Sequence, residues 1–214
     1  YRQRTELLAS APVRKPAWAN YVLGVVNKLQ ALHPISHGFQ ATFAGDVPQG
    51  AGLSSSAALE LATALALCSL CDIKLSMIDL AKICQSAEHD FAGSKCGLLD
   101  QISSLYGKEG SLVYTDFRTL KVDTVPLGLD SCFLVADTRI KHELVSSDYN
   151  KRRMECERAA AFFSSVLDHP VKSLRDVSIP EWKKMRIDSI LFLPDGQPIS
   201  FRKIKEYGVP GTSF

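Results

Sequence analysis

The chain has 214 residues, of which 46% are hydrophobic and 22% are charged, and its net charge is +2. This composition is sufficient for a globular core, whereas so small a charge argues against a nucleic-acid partner. The longest apolar run is too short to span a bilayer, no signal peptide is visible, and six cysteines are too sparse for a disulfide scaffold. We therefore expect a cytoplasmic protein with no membrane partner.

The first predicted elements are two helices with a short strand between them. Apolar residues that recur near one face predict a helix over residues 18–32. Alternation of apolar and polar residues predicts a half-buried strand over residues 39–44. Residues 55–71 are apolar nearly all round, which predicts a buried helix.

Helices and strands alternate less regularly in the rest of the chain. The spacing of Ser76 and Asp79 is that of a capping box and predicts a helix that runs to His89. A short helix is expected over residues 100–105, because Gly107 stops it. Further predicted elements are strands at 111–116, 121–125 and 131–136, a helix at 147–165 and a hairpin at 190–197. This order favours an α+β fold with a mixed sheet.

The most informative segment lies between the predicted strand and the buried helix. Gly50 and Gly52 allow positive φ and a close backbone approach to a ligand. The N–H groups of such a turn, and of the helix start after it, bind anions. Ser54, Ser55 and Ser56 add hydroxyls for phosphate oxygens or a phosphate-bound metal ion. A simple capped helix explains the segment less well, since one cap needs only one serine.

Three other residues carry groups suited to phosphoryl transfer, although each also suits an ordinary structural role. Glu88 offers a hard oxygen ligand for Mg²⁺, or is a surface carboxylate. Asp100 follows a glycine loop and is either a base for a hydroxyl nucleophile or a helix-start residue that favours the dipole. Tyr149 is either a hydrogen-bonding partner of a polar ligand or a half-buried tyrosine. Taken singly, these residues leave both interpretations open.

Taken in order, the motifs resemble those of the galactokinases, members of the GHMP kinase superfamily of small-molecule kinases. Residues 48–60, with the sequence PQGAGLSSSAALE, resemble the phosphate-binding motif of the family. Residues 87–93 and 96–101 resemble the segment that carries a metal ligand and the catalytic acid. Residues 146–156 resemble a segment peculiar to galactokinases, and residues 16–25 are similar to the helix near the adenine.

The resemblance, which covers about residues 13–180, implies an ATP-dependent kinase that phosphorylates the anomeric hydroxyl of galactose. Asp100 would be the catalytic aspartate, and Mg²⁺ would be held by Ser56 and Glu88. Trp18 would lie beside the adenine. The sugar would contact three residues: Gly97, Asp100 and Tyr149. The phosphates of ATP would be bound by a run of seven residues: Gly50, Ala51, Gly52, Leu53, Ser54, Ser55 and Ser56.

The resemblance also implies a domain organisation. We expect the α+β N-terminal domain of the GHMP kinases, a fold also found in a ribosomal protein, over residues 1–180 and a divergent tail over residues 181–214. The N-terminal family motif, which supplies sugar-binding residues and a catalytic arginine, and the C-terminal glycine-rich motif are not found. We therefore expect an internal fragment, monomeric and with impaired activity. A kinase for N-acetylgalactosamine or another small alcohol, and a non-catalytic galactose and ATP sensor, are the alternatives.

Overall fold

A computed structural model of the chain describes residues 11–13, 16–35, 38–128, 130–136, 148–184, 191–192 and 198–199. For residues 148, 149, 191, 192, 198 and 199 it describes the backbone alone. The chain divides into two compact units, Tyr1–Lys151 and Arg152–Phe214. The domain boundary expected at residue 180 stays a prediction.

Within its described residues the first unit contains four complete α-helices, and all four were predicted from the sequence. They are α1 (Ala19–Leu32), α2 (Ser55–Leu70), α3 (Met77–Ala87) and α4 (Leu99–Tyr106). The main core joins the apolar faces of α1, α2 and α3, with Val22, Val25, Val26, Leu29, Leu61, Ala64, Leu67, Leu80, Ile83, Cys84 and Ala87 buried. One face of α2 is exposed, with Leu65 at 49%, so the expectation of burial on all sides was wrong. The described elements pack on the opposite side of this helix.

Helix α3 begins as predicted and ends in an unpredicted way. The hydroxyl of Ser76 accepts a hydrogen bond from an N–H of the first turn at 3.1 Å. The helix then continues as one π-helical turn, Glu88–Ala92. Gly24 of α1 packs against this junction, because a Cβ atom there would lie 3.0 Å from the Cβ of Ala87 and 3.1 Å from that of Phe91. The absence of a side chain thus lets α1 approach the π-helical turn closely.

The strands form hairpins. Strands β1 (Ser111–Asp116) and β2 (Lys121–Pro126) pair antiparallel, as the sequence suggested, with Ser111 opposite Pro126. In the second unit, β3 (Leu191–Phe192) and β4 (Pro198–Ile199) also pair antiparallel, at the place of the predicted hairpin. Within the described ranges both sheets have two strands, so the α+β class is confirmed while the mixed sheet is not formed.

Two predicted strands are wrong. Residues 39–44 and 131–136 carry no strand assignment. Alternation of apolar and polar side chains makes one face of a segment suitable for burial, but a strand also needs a neighbouring backbone for its hydrogen bonds. Two apolar side chains of this segment, those of Phe39 and Phe43, instead pack on other parts of the first unit. Phe39 packs on the main core, and the ring of Phe43 lies edge-on to Trp18 with centroids 6.5 Å apart.

The second unit has a small core of its own. Helix α5 (Asp148–Val166), predicted within one residue at each end, extends into this unit, and α6 (Ile179–Lys184) follows. Among the described residues of this unit, the buried core consists of Ala160, Phe163 and Val171. The ring of Trp182 packs on that of Phe163, with centroids 5.7 Å apart. No helix within the described ranges has the length and apolar character needed to cross a membrane.

Candidate active site

The glycine loop has left-handed residues at every second position, as an anion-binding nest requires. Gly50, Gly52 and Ser54 have φ angles of 72°, 73° and 57°, while the intervening Ala51 and Leu53 are outside this region. Such alternation turns successive N–H groups towards one side, where an anion can accept them. Space is open where a Cβ atom would lie at either glycine. Backbone conformation, and not crowding, therefore requires glycine at these two positions.

Ser54 precedes α2 in an unusual conformation. Its φ and ψ angles are 57° and 36°, and its side chain makes no capping hydrogen bond. Residues at this position are normally extended and cap the helix with their side chain. A non-glycine residue held in the left-handed region costs on the order of 1 kcal/mol or more. The first-turn N–H groups of α2 thus do not donate to the side chain of Ser54. The positive end of the helix dipole therefore lies next to the glycine loop.

Ser56 and Glu88, the predicted metal ligands, meet in the structure. The Oγ atom of Ser56, in the first turn of α2, lies 3.4 Å from Oε1 of Glu88 at the start of the π-helical turn. Glu88 is buried, with 3% exposure. Its other oxygen, Oε2, accepts hydrogen bonds from the amide of Gln101 at 3.0 Å and from the thiol of Cys96 at 3.3 Å. The carboxylate is therefore held by donors from three elements.

A second buried carboxyl group lies beside the first. Glu60, one turn after Ser56, is fully buried, and its Oε2 accepts a hydrogen bond from Nε2 of Gln101 at 3.3 Å. Burial, reinforced by the charge of Glu88, raises the pKa of Glu60 to about 9. Glu60 is thus a neutral acid at pH 7. Its Oε1 and the Oε1 of Gln101 have no partner among the described residues, and a carboxylic acid supplies the donor that both lack.

The electrostatics of Glu88 favour a cation. Burial raises its pKa, and the charge of Asp100 raises it further, whereas the hydrogen bonds from Cys96, Gln101 and Ser56 lower it. None of these described partners is positively charged. A buried carboxylate without a counter-ion is costly, so a bound cation would stabilise its ionised form. Asp100 itself is half-buried in the first turn of α4.

The donors at this position suit a metal ion that is shared with phosphate. No cluster of three or more His, Cys, Asp or Glu side chains that could hold a metal occurs in the described part of the chain. Mg²⁺, however, is usually bound by one or two protein groups, with phosphates and water completing its shell. Ser56 Oγ and Glu88 Oε1 are two adjacent hard oxygens, so they fit such a site.

Hydrogen bonds from α3 and from the π-helical turn after it fix the loop before α4. The carbonyl oxygen of Cys96 accepts hydrogen bonds from Nε2 of Gln85 at 3.1 Å and from Nε2 of His89 at 2.8 Å. This contact gives His89 a structural role. Gly97, predicted to contact the sugar, follows directly and is exposed. Asp100 comes three residues later, so the loop and the first turn of α4 place Gly97 and Asp100 at one edge of the buried cluster.

The first turn of α5 is bonded to the same loop. Oδ1 of Asn150 accepts the N–H of Lys95 at 3.0 Å, and Nδ2 of Asn150 donates to the carbonyl of Gly93 at 3.3 Å. Tyr149 immediately precedes Asn150, so its backbone is near this loop. Its side chain lies outside the described residues. The predicted sugar contact of Tyr149 is therefore supported by chain position alone.

Trp18 lies immediately before α1. Its side chain is 46% exposed, and its described ring contact is with Phe43. An exposed indole is suited to stacking on a base. The predicted adenine contact stays a prediction.

Sequence reasoning missed the residues that hold Glu88 in place: Glu60, Cys96 and Gln101. A signal existed for Glu60, because an acid in an otherwise apolar helix, four residues from Ser56, shares a face with that serine. Gln101 and Cys96 carry no such signal, since their partners come from other elements.

Comparison with known proteins finds similarity to kinases of small molecules. Residues 20–108, which include the nest, Glu88 and Asp100, match the family model "GHMP kinases N terminal domain". This stretch of the chain is similar to the N-terminal domain of the GHMP kinases. Curated galactokinases from three Haemophilus influenzae strains, PittEE, PittGG and Rd, are each 39% identical to it over 184 residues, which are 86% of this chain and 46% of each relative.

A solved structure is also similar to the chain. The crystal structure of Lactococcus lactis galactokinase complexed with galactose matches with a TM-score of 0.63 and 27% identity, over 86% of this chain and 45% of that chain. The chain spans about half the length of the curated relatives it matches. The resemblance to galactokinases and the α+β fold predicted from the motifs are confirmed.

Proposed function

We propose that this chain forms the ATP- and metal-binding part of a kinase that phosphorylates the anomeric hydroxyl of galactose to give galactose 1-phosphate. The observation that carries the proposal is the pairing of Ser56 with buried Glu88 at the end of a nest-shaped loop. The chain that carries this pairing is similar to galactokinases over 86% of its length.

The loop at residues 50–56 would bind the phosphates of ATP. Its N–H groups and the first turn of α2 provide donors, and the hydroxyls of Ser54, Ser55 and Ser56 add further ones. Because these groups are fixed before the ligand arrives, they stabilise the charge that develops on the transferred phosphoryl group without reorganising. Trp18 would stack on the adenine.

Ser56 and Glu88 would hold Mg²⁺ together with the phosphates. The metal ion, when bound, would neutralise negative charge on the phosphate oxygens. Glu88 contributes a carboxylate whose second oxygen is already engaged by Gln101 and Cys96. Ser56 contributes a neutral oxygen from the start of α2.

Asp100 would accept the proton of the sugar hydroxyl as that hydroxyl attacks the γ-phosphorus, while ADP departs from the opposite side. Gly97 and Tyr149 would contact the sugar and orient this hydroxyl. Positioning and electrostatics supply most of the rate in phosphoryl transfer. An acid at the rim of the buried cluster is therefore suited to hold the nucleophile and to accept its proton late in the reaction.

We also propose a monomeric, cytoplasmic protein. All six cysteines are free, and three of them are buried. Free thiols are typical of a reducing compartment. Size-exclusion chromatography with light scattering would test the monomer, since a stable dimer would contradict it.

Ligand binding and turnover test the proposal separately. Isothermal titration calorimetry should show that the folded chain binds ATP with Mg²⁺, and absence of binding would contradict the proposal. A kinase assay over galactose, N-acetylgalactosamine and glucose should be made with the longest product of the same gene. We expect turnover with galactose. Turnover with N-acetylgalactosamine alone would replace the substrate, and galactose binding without any turnover would favour a sensor.

A further inference from the structure

Gln101 is the centre of the buried polar cluster. Its side chain is fully buried, and its single amide nitrogen donates to Oε2 of Glu88 at 3.0 Å and to Oε2 of Glu60 at 3.3 Å. An amide nitrogen has two hydrogens, so one is available for each carboxyl group. Gln101 of α4 therefore links the π-helical turn to helix α2.

These contacts distinguish the two oxygens of Glu88. Oε2 accepts hydrogen bonds from Gln101 and Cys96, whereas Oε1 lies 3.4 Å from the hydroxyl of Ser56. Rotation of the carboxylate would break the two hydrogen bonds at Oε2 and the contact of Oε1 with Ser56, and lost hydrogen bonds in a buried site are costly. Oε1 is thus the oxygen of Glu88 that can bind a metal ion beside Ser56.

Glu60 anchors the amide in turn. It is fully buried on α2, the helix that also carries Ser56, and the two residues are separated by one helical turn. Its contact with Gln101 opposes rotation of the amide away from Glu88. The positions of Ser56 Oγ and Glu88 Oε1 are therefore both fixed relative to helix α2.

We infer that Gln101, anchored by Glu60, is a positioning residue that presents Oε1 of Glu88 beside Ser56 to the metal ion. This inference rests on the proposed function, because it concerns the same metal-binding pair. The competing reading is that Gln101 only fills the core. A core residue would affect stability, but it would not affect metal affinity selectively.

The variant Gln101→Met, which keeps the length of the side chain and removes both donors, distinguishes the two readings. Mn²⁺ serves as a spectroscopic substitute for Mg²⁺, and electron paramagnetic resonance of the chain with ATP measures its affinity. Residues that orient metal ligands typically contribute about 10- to 100-fold in affinity, so we expect a loss of about tenfold. Affinity for ATP in the presence of EDTA should change less than about twofold, because the nest is untouched.

The matched control is Gln85→Met, which removes an amide bonded to the carbonyl of Cys96 but makes no described contact with Glu88. It should lower the melting temperature without weakening Mn²⁺ binding. If Gln101→Met does not fold, Gln101→Asn replaces it. This variant keeps a neutral amide that is one methylene shorter and is withdrawn from Glu88.

A double-mutant cycle with Glu88→Gln completes the test. In that background the Gln101 substitution should have no further effect on Mn²⁺ affinity, because the group that it positions is gone. Equal Mn²⁺ affinity of the wild type and the Gln101 variant, or additive effects in the cycle, would overturn the inference and leave the proposed function standing. Failure of the wild type to bind Mn²⁺ with ATP would instead contradict the proposed function itself.

Discussion

The nest at residues 50–54 and the buried cluster around Glu88 meet at Ser56 but are built in opposite ways. The nest is mostly exposed, and its geometry comes from the backbone angles of Gly50, Gly52 and Ser54. The cluster is buried, and its geometry comes from hydrogen bonds between side chains. Changes of backbone freedom should therefore matter most in the nest, and changes of side-chain chemistry should matter most in the cluster.

The largest effect is expected at Glu88, which is both buried and a proposed ligand of the metal ion. Glu88→Gln removes the charge while keeping the shape, so Mn²⁺ affinity in the presence of ATP should fall about a hundredfold or more, beyond the range of residues that only orient ligands. The electron paramagnetic resonance titration measures this. Glu109→Gln, at an exposed carboxylate, is the control. Unchanged affinity in Glu88→Gln would exclude Glu88 as a metal ligand.

A backbone substitution in the nest comes next. Gly52 has a φ of 73°, where a Cβ atom costs about 1–2 kcal/mol, so Gly52→Ala should weaken ATP binding roughly tenfold. Gly45→Ala, in the same loop but outside the positive-φ region and with open space for a Cβ atom, should have little effect. Calorimetry with ATP and EDTA compares the two variants. If they behave alike, the backbone conformation of Gly52 does not contribute to binding.

The buried acid Glu60 should make stability depend on pH. In the unfolded chain Glu60 loses its proton near pH 4.5, whereas in the folded chain its pKa is about 9. Between these values the folded state holds the extra proton, so stability falls as the pH rises, by at most about 1.4 kcal/mol per pH unit. Glu60→Gln is neutral at every pH and should flatten this slope. Urea unfolding from pH 6 to 8.5 measures the slope, and equal slopes in both proteins would contradict a neutral Glu60.

The smallest expected effect is a difference in the free energy of unfolding between variants of two serines that precede helices. Ser76 caps α3 through its hydroxyl, so Ser76→Ala should lower the free energy of unfolding by about 1 kcal/mol. Ser54 makes no capping hydrogen bond before α2, so Ser54→Ala should change it by less than about 0.5 kcal/mol. Thermal or urea unfolding compares the two. A large loss in Ser54→Ala would show that its hydroxyl does stabilise the helix start.

Local sequence patterns predicted much of this molecule. The bounds of α1, α2 and α5 agree with expectation within about one residue, because spacing of apolar side chains and helix caps act over a few positions. The strand expected at residues 39–44 was wrong, since pairing depends on distant partners. Gln101 was missed for the same reason: the two carboxyl groups to which it donates, those of Glu88 and Glu60, lie 13 and 41 positions away.

The π-helical turn at Glu88–Ala92 holds one residue more than an α-helical path of the same span would hold. Deletion of one residue there would let α3 continue as a regular helix. The segments on either side would keep nearly the same relative orientation, because the shorter path covers the same span. Only the side chains inside the turn would be rearranged. A single-residue gap at this turn in an alignment should therefore mark, by length alone, those homologues in which the helix is regular while the packing around it is retained.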